Sequence, residues 1–304
     1  MLAIALAGCT FSPPVGSSDD DDDGTPSPGD RDGDGVGDAE DNCPDLANPP
    51  QRDHDGDARG DECDACPHLV GGDDDPDGDG IGVACDPEPD IKNPPPYWNG
   101  FYDAPDATWS IPEGMGSLAD WEVTERDGKL GWRQTVLDGS QRHHLVLEGV
   151  RPEAHVMSAF VVDAVAPGDF TSDLRSATIS FGYVKADTGD DFYFNCGVRS
   201  DTFWETSTLI ASAFRNDTVR DDQTMPWAAD VTNKLIVVDG GADRINGDAP
   251  KTGDTALACS ADDSTSQQRV SNESTDYPDG QVGLRTYGMT TWFDYLFVVE
   301  PTEL

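Results

Sequence analysis

Basic residues are scarce in this chain of 304 residues: 19 Lys and Arg stand against 60 Asp and Glu, for a formal net charge of −41. Phosphate contacts need clusters of Lys and Arg, so the deficit excludes nucleic acid as a partner. It equally excludes docking of the chain itself on anionic lipid head groups. Long apolar runs are missing too. The opening Leu2–Ala7 run is far too short to span a bilayer, and no stretch carries a long, capped apolar stripe of helical period. A GxSxG elbow, an HExxH pair and a phosphate-cradling glycine loop are all absent, which removes the motif-bearing hydrolases, zinc proteases and nucleotide enzymes.

What is present is unevenly spread. From Thr10 to Pro96 there are 26 acidic residues against 4 basic, and from Tyr97 to Leu304 there are 34 against 15 over more than twice the length. The run Ser17–Pro28, SSDDDDDGTPSP, has no periodic spacing and reads as a self-repelling linker. Asp30–Asp86 is different. Three copies of one pattern overlay: Asp30, Asp32, Asp34, Gly35, Gly37, Asp38; then Asp53, Asp55, Asp57, Gly60, Asp61; then Asp75, Asp77, Asp79, Gly80, Gly82. Alternate aspartates on a tightly turning backbone aim carboxylates at a common centre, and glycines permit the turns. Calcium, with six to eight oxygens in flexible geometry, suits such loops better than magnesium. The bidentate Glu that closes an EF-hand loop is missing and the flanks are not helical.

The spacing between copies resembles thrombospondin type 3 repeats. The pattern is legible in Asp41-Asn42-Cys43-Pro44, Asn48-Pro49, Gln51, Asp53–Asp57, Gly60-Asp61 and Cys63-Asp64, then again in Cys66-Pro67, Asp75–Asp79 and Cys85-Asp86. The resemblance implies a chain wrapped around a row of calcium ions and stapled by disulfides, with Asp30, Asp32, Asp34, Asp38, Asp41, Asp53, Asp55, Asp57, Asp61, Asp64, Asp75, Asp77, Asp79 and Asp86 as calcium ligands. Ala58 stands at a usual glycine position, and Val83 where a ligand Asp usually follows Gly82, so the third site is expected to depart in affinity or ion count. His54, between two ligands, and His68, in the variant spacer His68-Leu69-Val70-Gly71, read as solvated side chains.

The amino terminus, MLAIALAGCTFSPPVGSS, resembles the end of a bacterial lipoprotein signal peptide, with Leu6, Ala7, Gly8 and Cys9 as its cleavage box. That implies acylation of Cys9 and a membrane contact made by lipid alone. Removing Cys9 from the seven cysteines leaves six, whose pairing the count alone leaves open. The repeat resemblance implies Cys43 with Cys63 and Cys66 with Cys85, leaving Cys196 for Cys259. Zinc at Cys63-Asp64-Ala65-Cys66 lacks a partner pair and sits among hard oxygen ligands. The cysteine usage implies an oxidising compartment.

Beyond Asn93-Pro94-Pro95-Pro96 the texture changes to short apolar or alternating runs broken by turn residues, among them His143–Val150, His155–Val165, Ser176–Val184 and Lys234–Gly240. Many short strands with turn signals predict an all-β sandwich or barrel. Gly280–Thr286 followed by Trp292–Val299 resembles the last two strands of concanavalin A-like (laminin G-like) jelly rolls, and Trp109, Trp121, Gly131 and Trp132 resemble their opening. Asp191–Cys196 and Leu257–Cys259 resemble a disulfide-bridged strand pair of that family. The expected organisation is a signal peptide over 1–9, an acidic linker over 10–29, repeats over 30–90, a joint over 91–96 and an antiparallel jelly-roll sandwich over 97–304.

Such folds include binding modules and glycosidases, so the fold does not decide the chemistry. Glu122-Val-Thr-Glu125 is the nearest approach to a glucanase carboxylate string and lacks its central Asp, and Asp190-Asp191 reads as a turn before a strand. No catalytic residue is assigned. His143-His144 read as structural, since neighbours on a strand point apart. Trp98, Phe101, Trp204 and Trp227, in turn-rich segments, are the candidate glycan-binding aromatics, while Trp121, Trp132 and Trp292 read as core. The resulting expectation is a calcium-binding surface lipoprotein of the bacterial envelope, exposed on the outer membrane, that presents a sandwich to a glycan or a surface protein. A polysaccharide hydrolase with an unrecognised site, or a purely structural envelope protein, is the alternative.

Overall fold

The computed structural model describes residues 29–150, 154–167, 175–185, 191–201, 206–215, 218–227, 232–242, 255–262, 267–274, 281–300 and 302. Cys9, Trp204 and Asp190 lie outside them, as does the side chain of Trp227.

Alternation of apolar and polar residues along each run produces two antiparallel sheets packed face to face, a jelly-roll sandwich. Sheet A runs in the order β13 (Gln267–Ser274), β12 (Thr255–Asp262), β11 (Leu235–Ala242), β6 (His155–Val165), β15 (Met289–Val299), β4 (Lys129–Gln134) and β3 (Trp121–Arg126). The short β1 (Tyr97–Asn99) also pairs with β15. Sheet B runs β10 (Thr218–Trp227), β9 (Thr206–Arg215), β8 (Asp191–Asp201), β7 (Arg175–Lys185), β14 (Gln281–Tyr287), β5 (Arg142–Leu147) and β2 (Trp109–Ser110). Pro226 sits on β10, the edge strand, where a missing amide donor costs no ladder bond.

The core between the sheets takes Phe160, Ile236, Phe293 and Leu296 from one side and Leu145, Ile179, Phe181, Phe194 and Leu284 from the other. Trp121, Trp132 and Trp292 are buried, as read from the sequence. Cys196 pairs with Cys259. The strands that carry them, β8 and β12, lie in opposite sheets, so this bridge ties the two layers through the core rather than joining a hydrogen-bonded strand pair.

The repeat segment has turns and no strands or helices. Cys43–Cys63 and Cys66–Cys85 are bonded as expected, and each closure of about twenty residues restricts the unfolded chain by about 3 kcal/mol on the entropic model. The segment is not a free stalk. Cys66, Ile81 and Cys85 form a second apolar cluster with Ala159, Tyr295, Phe297 and Val299 on the outer face of sheet A, flanked by Trp98, Met157 and Val237. All eleven residues of β15 are buried, and Tyr295, Phe297 and Val299 are covered by the repeats. A register shift between Phe293 and Tyr295 makes a bulge at Asp294. The extra residue re-aims the strand, so that Tyr295 joins the cluster under the repeats while Phe293 and Leu296 keep their places in the inner core.

Candidate metal centre and inter-module cleft

Three aspartate triads come together as the alternation requires. In Asp30/Asp32/Asp34, Asp53/Asp55/Asp57 and Asp75/Asp77/Asp79, one carboxylate oxygen from each member lies within 4.8 Å of the others. The first Asp of each loop folds back on its own backbone, accepting two amides: Gly33 and Gly35 on Asp30, Gly56 and Ala58 on Asp53, Gly78 and Gly80 on Asp75. These donors hold Asp75 below the usual carboxylate range. The fifth-position Asp reaches fourteen residues ahead, with Asp34 accepting from Asn48 N at 3.0 Å, Asp57 from Gly71 N at 3.0 Å and Asp79 from Asn93 N at 2.8 Å.

The remaining oxygens are conspicuous for what they lack. Asp32 Oδ2, Asp55 Oδ2, both oxygens of Asp77 and Asp86 Oδ2 are buried without a hydrogen-bond partner. Desolvation, with the neighbouring carboxylates adding to it, pushes Asp64 and Asp86 up to about 7, and Asp32, Asp55 and Asp77 move the same way. Carboxylates crowded together, short of donors and withdrawn from water fit a hard divalent cation.

Asp38 and Asp61 each turn one oxygen to cap the second amide of their own loop, Arg31 N and His54 N, both at 2.8 Å. The other oxygen of Asp61 is taken by the sandwich, accepting the Tyr102 hydroxyl at 2.6 Å and Trp98 Nε1 at 3.2 Å. Val83 thus replaces a loop fastener in the third copy. The last copy also runs past residue 90. Asp86-Pro87-Glu88-Pro89 and Asn93-Pro94 repeat Asp41-Asn42-Cys43-Pro44 and Asn48-Pro49, with Glu88 in place of the cysteine. Asn93 Nδ2 donates to Glu88 Oε2 at 3.0 Å and to the Glu300 carbonyl at 3.1 Å, fastening the repeat to the end of β15.

The two repeat histidines are packed between the modules rather than solvated, His54 buried and His68 half-buried. His54 is 6% exposed, lies edge-on to Trp98 and Tyr295, and its Nε2 is 3.4 Å from Asp294 Oδ1. His68 packs on Tyr295 and Phe297 with ring centroids 4.8 and 5.0 Å away, and burial drives its pKa down to about 3, so it is neutral. The alternate positions of the Asp-x-Asp loop do point outward from the metal centre, but outward here means into sheet A.

Of the candidate aromatics, Phe101 is fully buried and stacks on Trp132 at 4.1 Å, which removes it as a ligand contact. Trp98 is half-buried at the module boundary. It lines a cleft of 480 Å³ between the repeats and the sandwich, whose other walls include Arg52, Asp61, Tyr97, Tyr102, Asp103 and Asp106. Sequence reasoning missed this cleft because its two walls are contributed by segments that show no local sign of meeting.

Sheet B also buries polar side chains, among them His144, Thr178, Ser180, Asn195 and Arg285. His143 turns to Asp120, at 3.0 Å, and His144 the other way, with Nε2 2.6 Å from Ser180 Oγ. Burial, with Arg285 beside it, lowers the pKa of His144 and keeps it neutral. No Asp or Glu occurs in β5, β7, β14 or residues 192–200 of β8. Glu122 and Glu125 do lie on a regular strand, β3, but three residues apart they face opposite sides, and Glu122 pairs with Arg133 at 3.6 Å.

No protein-family model matches the chain, and no characterised protein matches it in sequence. Among solved structures, it is similar to a carbohydrate binding module from Bacillus subtilis at 15% identity, covering 62% of this chain and 92% of that one with a TM-score of 0.38. A Bacillus licheniformis beta-glucanase matches at 6% identity over 68% of this chain and 98% of that one, TM-score 0.43. A legume lectin-like domain from Entamoeba histolytica matches at 8% identity over 64% and 91%, TM-score 0.37.

Proposed function

We propose that this chain is a calcium-binding extracellular surface lipoprotein whose repeat segment, organised by calcium, is fastened to a β-sandwich that binds glycans. The observation that carries the calcium reading is the set of converging triads with buried, unpartnered oxygens at Asp32, Asp55, Asp77 and Asp86. Asp41, Asp64 and Asp86 stand at matching positions beyond each triad and complete an oxygen-only donor set. Three disulfides fit the oxidising side of a membrane, and the Leu6–Cys9 box supplies an anchor that leaves both modules facing outward.

Binding is preferred to hydrolysis because a retaining glycosidase needs two carboxylates about 5 Å apart, and β5, β7, β14 and residues 192–200 of β8 carry none, the two aspartates of β8 standing at its opposite ends. The test is a calorimetric calcium titration of the full oxidised chain with circular dichroism alongside, followed by reducing-sugar release across polysaccharides. Saturable uptake of several ions with a change in shape, and no turnover, supports the reading. Absence of uptake at millimolar calcium overturns its calcium half, and product release overturns the preference for binding.

A further inference from the structure

We infer that the cleft between the repeats and β1 is a binding site for uncharged glycan, completed only when the repeats are loaded with calcium; this rests on the glycan-binding reading above. The cleft has two unlike walls. The sandwich supplies Tyr97, Trp98 and Tyr102, and the repeats supply Arg52 and Asp61. Sugar rings are held by aromatic surface together with a few fixed polar groups, and both are present at the junction.

The sandwich wall is rigid. Phe101 is held at φ 55 and is fully buried, a backbone state that persists only where the surroundings enforce it and that recurs at ligand clamps. A Cβ on the neighbouring Gly100 would lie 2.5 Å from the Tyr102 ring, so only glycine lets that ring cross the loop. The Tyr102 hydroxyl is spent on Asp61, and the Arg52 guanidinium lies 4.5 Å over the Tyr102 ring while bonding Asp103 Oδ2 at 2.6 Å. The rim acceptors Asp103 and Asp106 are exposed.

Charge selects the ligand class. Asp61, Glu62, Asp103 and Asp106 line the cleft with a single guanidinium, that of Arg52, in a chain of net charge −41. Uronic or sulfated sugars are repelled, whereas the hydroxyls of a neutral sugar donate to the exposed carboxylates of Asp103 and Asp106. The calcium dependence follows from connectivity. Asp61 is positioned through His54 N, whose neighbours Asp53 and Asp55 belong to the second triad. Loss of order there withdraws one wall of the cleft without calcium ever touching the sugar.

The experiment is an array of neutral, uronic and sulfated oligosaccharides probed with the full chain in calcium and in EDTA. It is repeated with Ala104→Trp, which blocks the rim, and with an Asp103→Ala/Asp106→Ala double variant; thermal unfolding verifies that both fold. The inference expects retention of neutral oligosaccharides in calcium, weakened about tenfold or more in both variants, the size of one or two lost charged hydrogen bonds, and weakened in EDTA. Neutral binding undiminished in the variants, or binding restricted to anionic sugars, overturns the cleft and leaves the glycan reading standing. An array with no signal overturns both.

Discussion

Tyr102 donates its hydroxyl to Asp61 across the module boundary at 2.6 Å, and Asp61 in turn accepts His54 N at 2.8 Å inside the second aspartate loop. One carboxylate thereby joins an aspartate loop to the loop that follows β1. Tyr102→Phe leaves Asp61 only Trp98 on the sandwich side, at 3.2 Å. A hydrogen bond to a charged group contributes about 1.5–3 kcal/mol, reduced here because Tyr102 is only half-buried. Chemical unfolding in calcium is expected to show a loss of about 1–2 kcal/mol; an unchanged midpoint would show that the contact is not a fastening.

The crowded carboxylates give the calcium-free chain an inverted acid response. Asp64 is raised to about 7 from an ordinary 3.8. A group with a raised folded-state pKa contributes stability that is complete below its unfolded pKa and is lost as pH rises through the folded one. In EDTA, Asp64 therefore favours the fold near pH 4 and opposes it above pH 7. On the calcium reading proposed above, bound calcium would reverse the sign by favouring the ionised form, and its affinity would fall as protons compete below about pH 7. His68, lowered to about 3 from 6.5, acts oppositely, since its contribution is present above pH 6.5 and lost as pH falls toward 3. Melting curves from pH 4 to 8 in EDTA should show Asp64→Asn and His68→Phe each removing its own slope, with opposite signs.

Ala58 occupies φ 77, where the corresponding residues of the other two loops, Gly35 and Gly80, sit at φ 95 and 90. A side chain in left-handed backbone costs about 1–2 kcal/mol, against a glycine entropy term of up to about 1 kcal/mol. Ala58→Gly is accordingly expected to stabilise the calcium-loaded chain by about 0.5–1 kcal/mol, and Gly80→Ala to destabilise it by a similar amount. Differential scanning calorimetry at fixed calcium reads both signs, and a destabilised Ala58→Gly variant would refute the strain argument.

The sequence made these loops legible because their order is local, with carboxylate, turn and cysteine spacings set within about twenty residues of chain. The two-sheet sandwich was legible for a similar reason, since alternation reports which face of a strand meets a core. The junction was not. His68 Nε2 meets Met157 Sδ at 3.1 Å across 89 residues, and nothing near either residue signals the other. The unbroken apolar run Tyr295–Val299 carried a hint, because a strand buried on one face alternates and this one does not. Phe101 misled because its segment is rich in turn residues, yet its own side chain plugs the core beside Trp132 and Trp109. Asn93 and Pro94 read as the start of a proline-rich joint, whereas Asn93 makes for Asp79 the contact that Asn48 makes for Asp34.

On the calcium reading, that last contact bears on which ion would be held most firmly. Judged from Val83, the third loop is the defective one. The residues matching Val83 are Asp38 and Asp61, each of which spends one oxygen on a backbone amide of its own loop, and we read Val83 as the loss of that cap rather than of an ion ligand. The third centre instead has the most buried, unpartnered oxygen, with both atoms of Asp77 and Oδ2 of Asp86. It lies beside Ile81, which is fully buried against the sandwich, and Asn93 ties it to the Glu300 carbonyl. An ion whose ligands are held by packing escapes only when that packing opens, which makes release slow. Val83→Asp is therefore expected to change calcium affinity by less than about twofold, a free energy within the range of an ordinary surface substitution. Asp77→Asn should abolish one binding event and raise proteolytic cleavage around residues 86–93. Terbium luminescence during stepwise chelation distinguishes the cases: the last signal to disappear in the native chain should be the one missing in Asp77→Asn, and a marked gain of affinity in Val83→Asp would show that position to be a ligand.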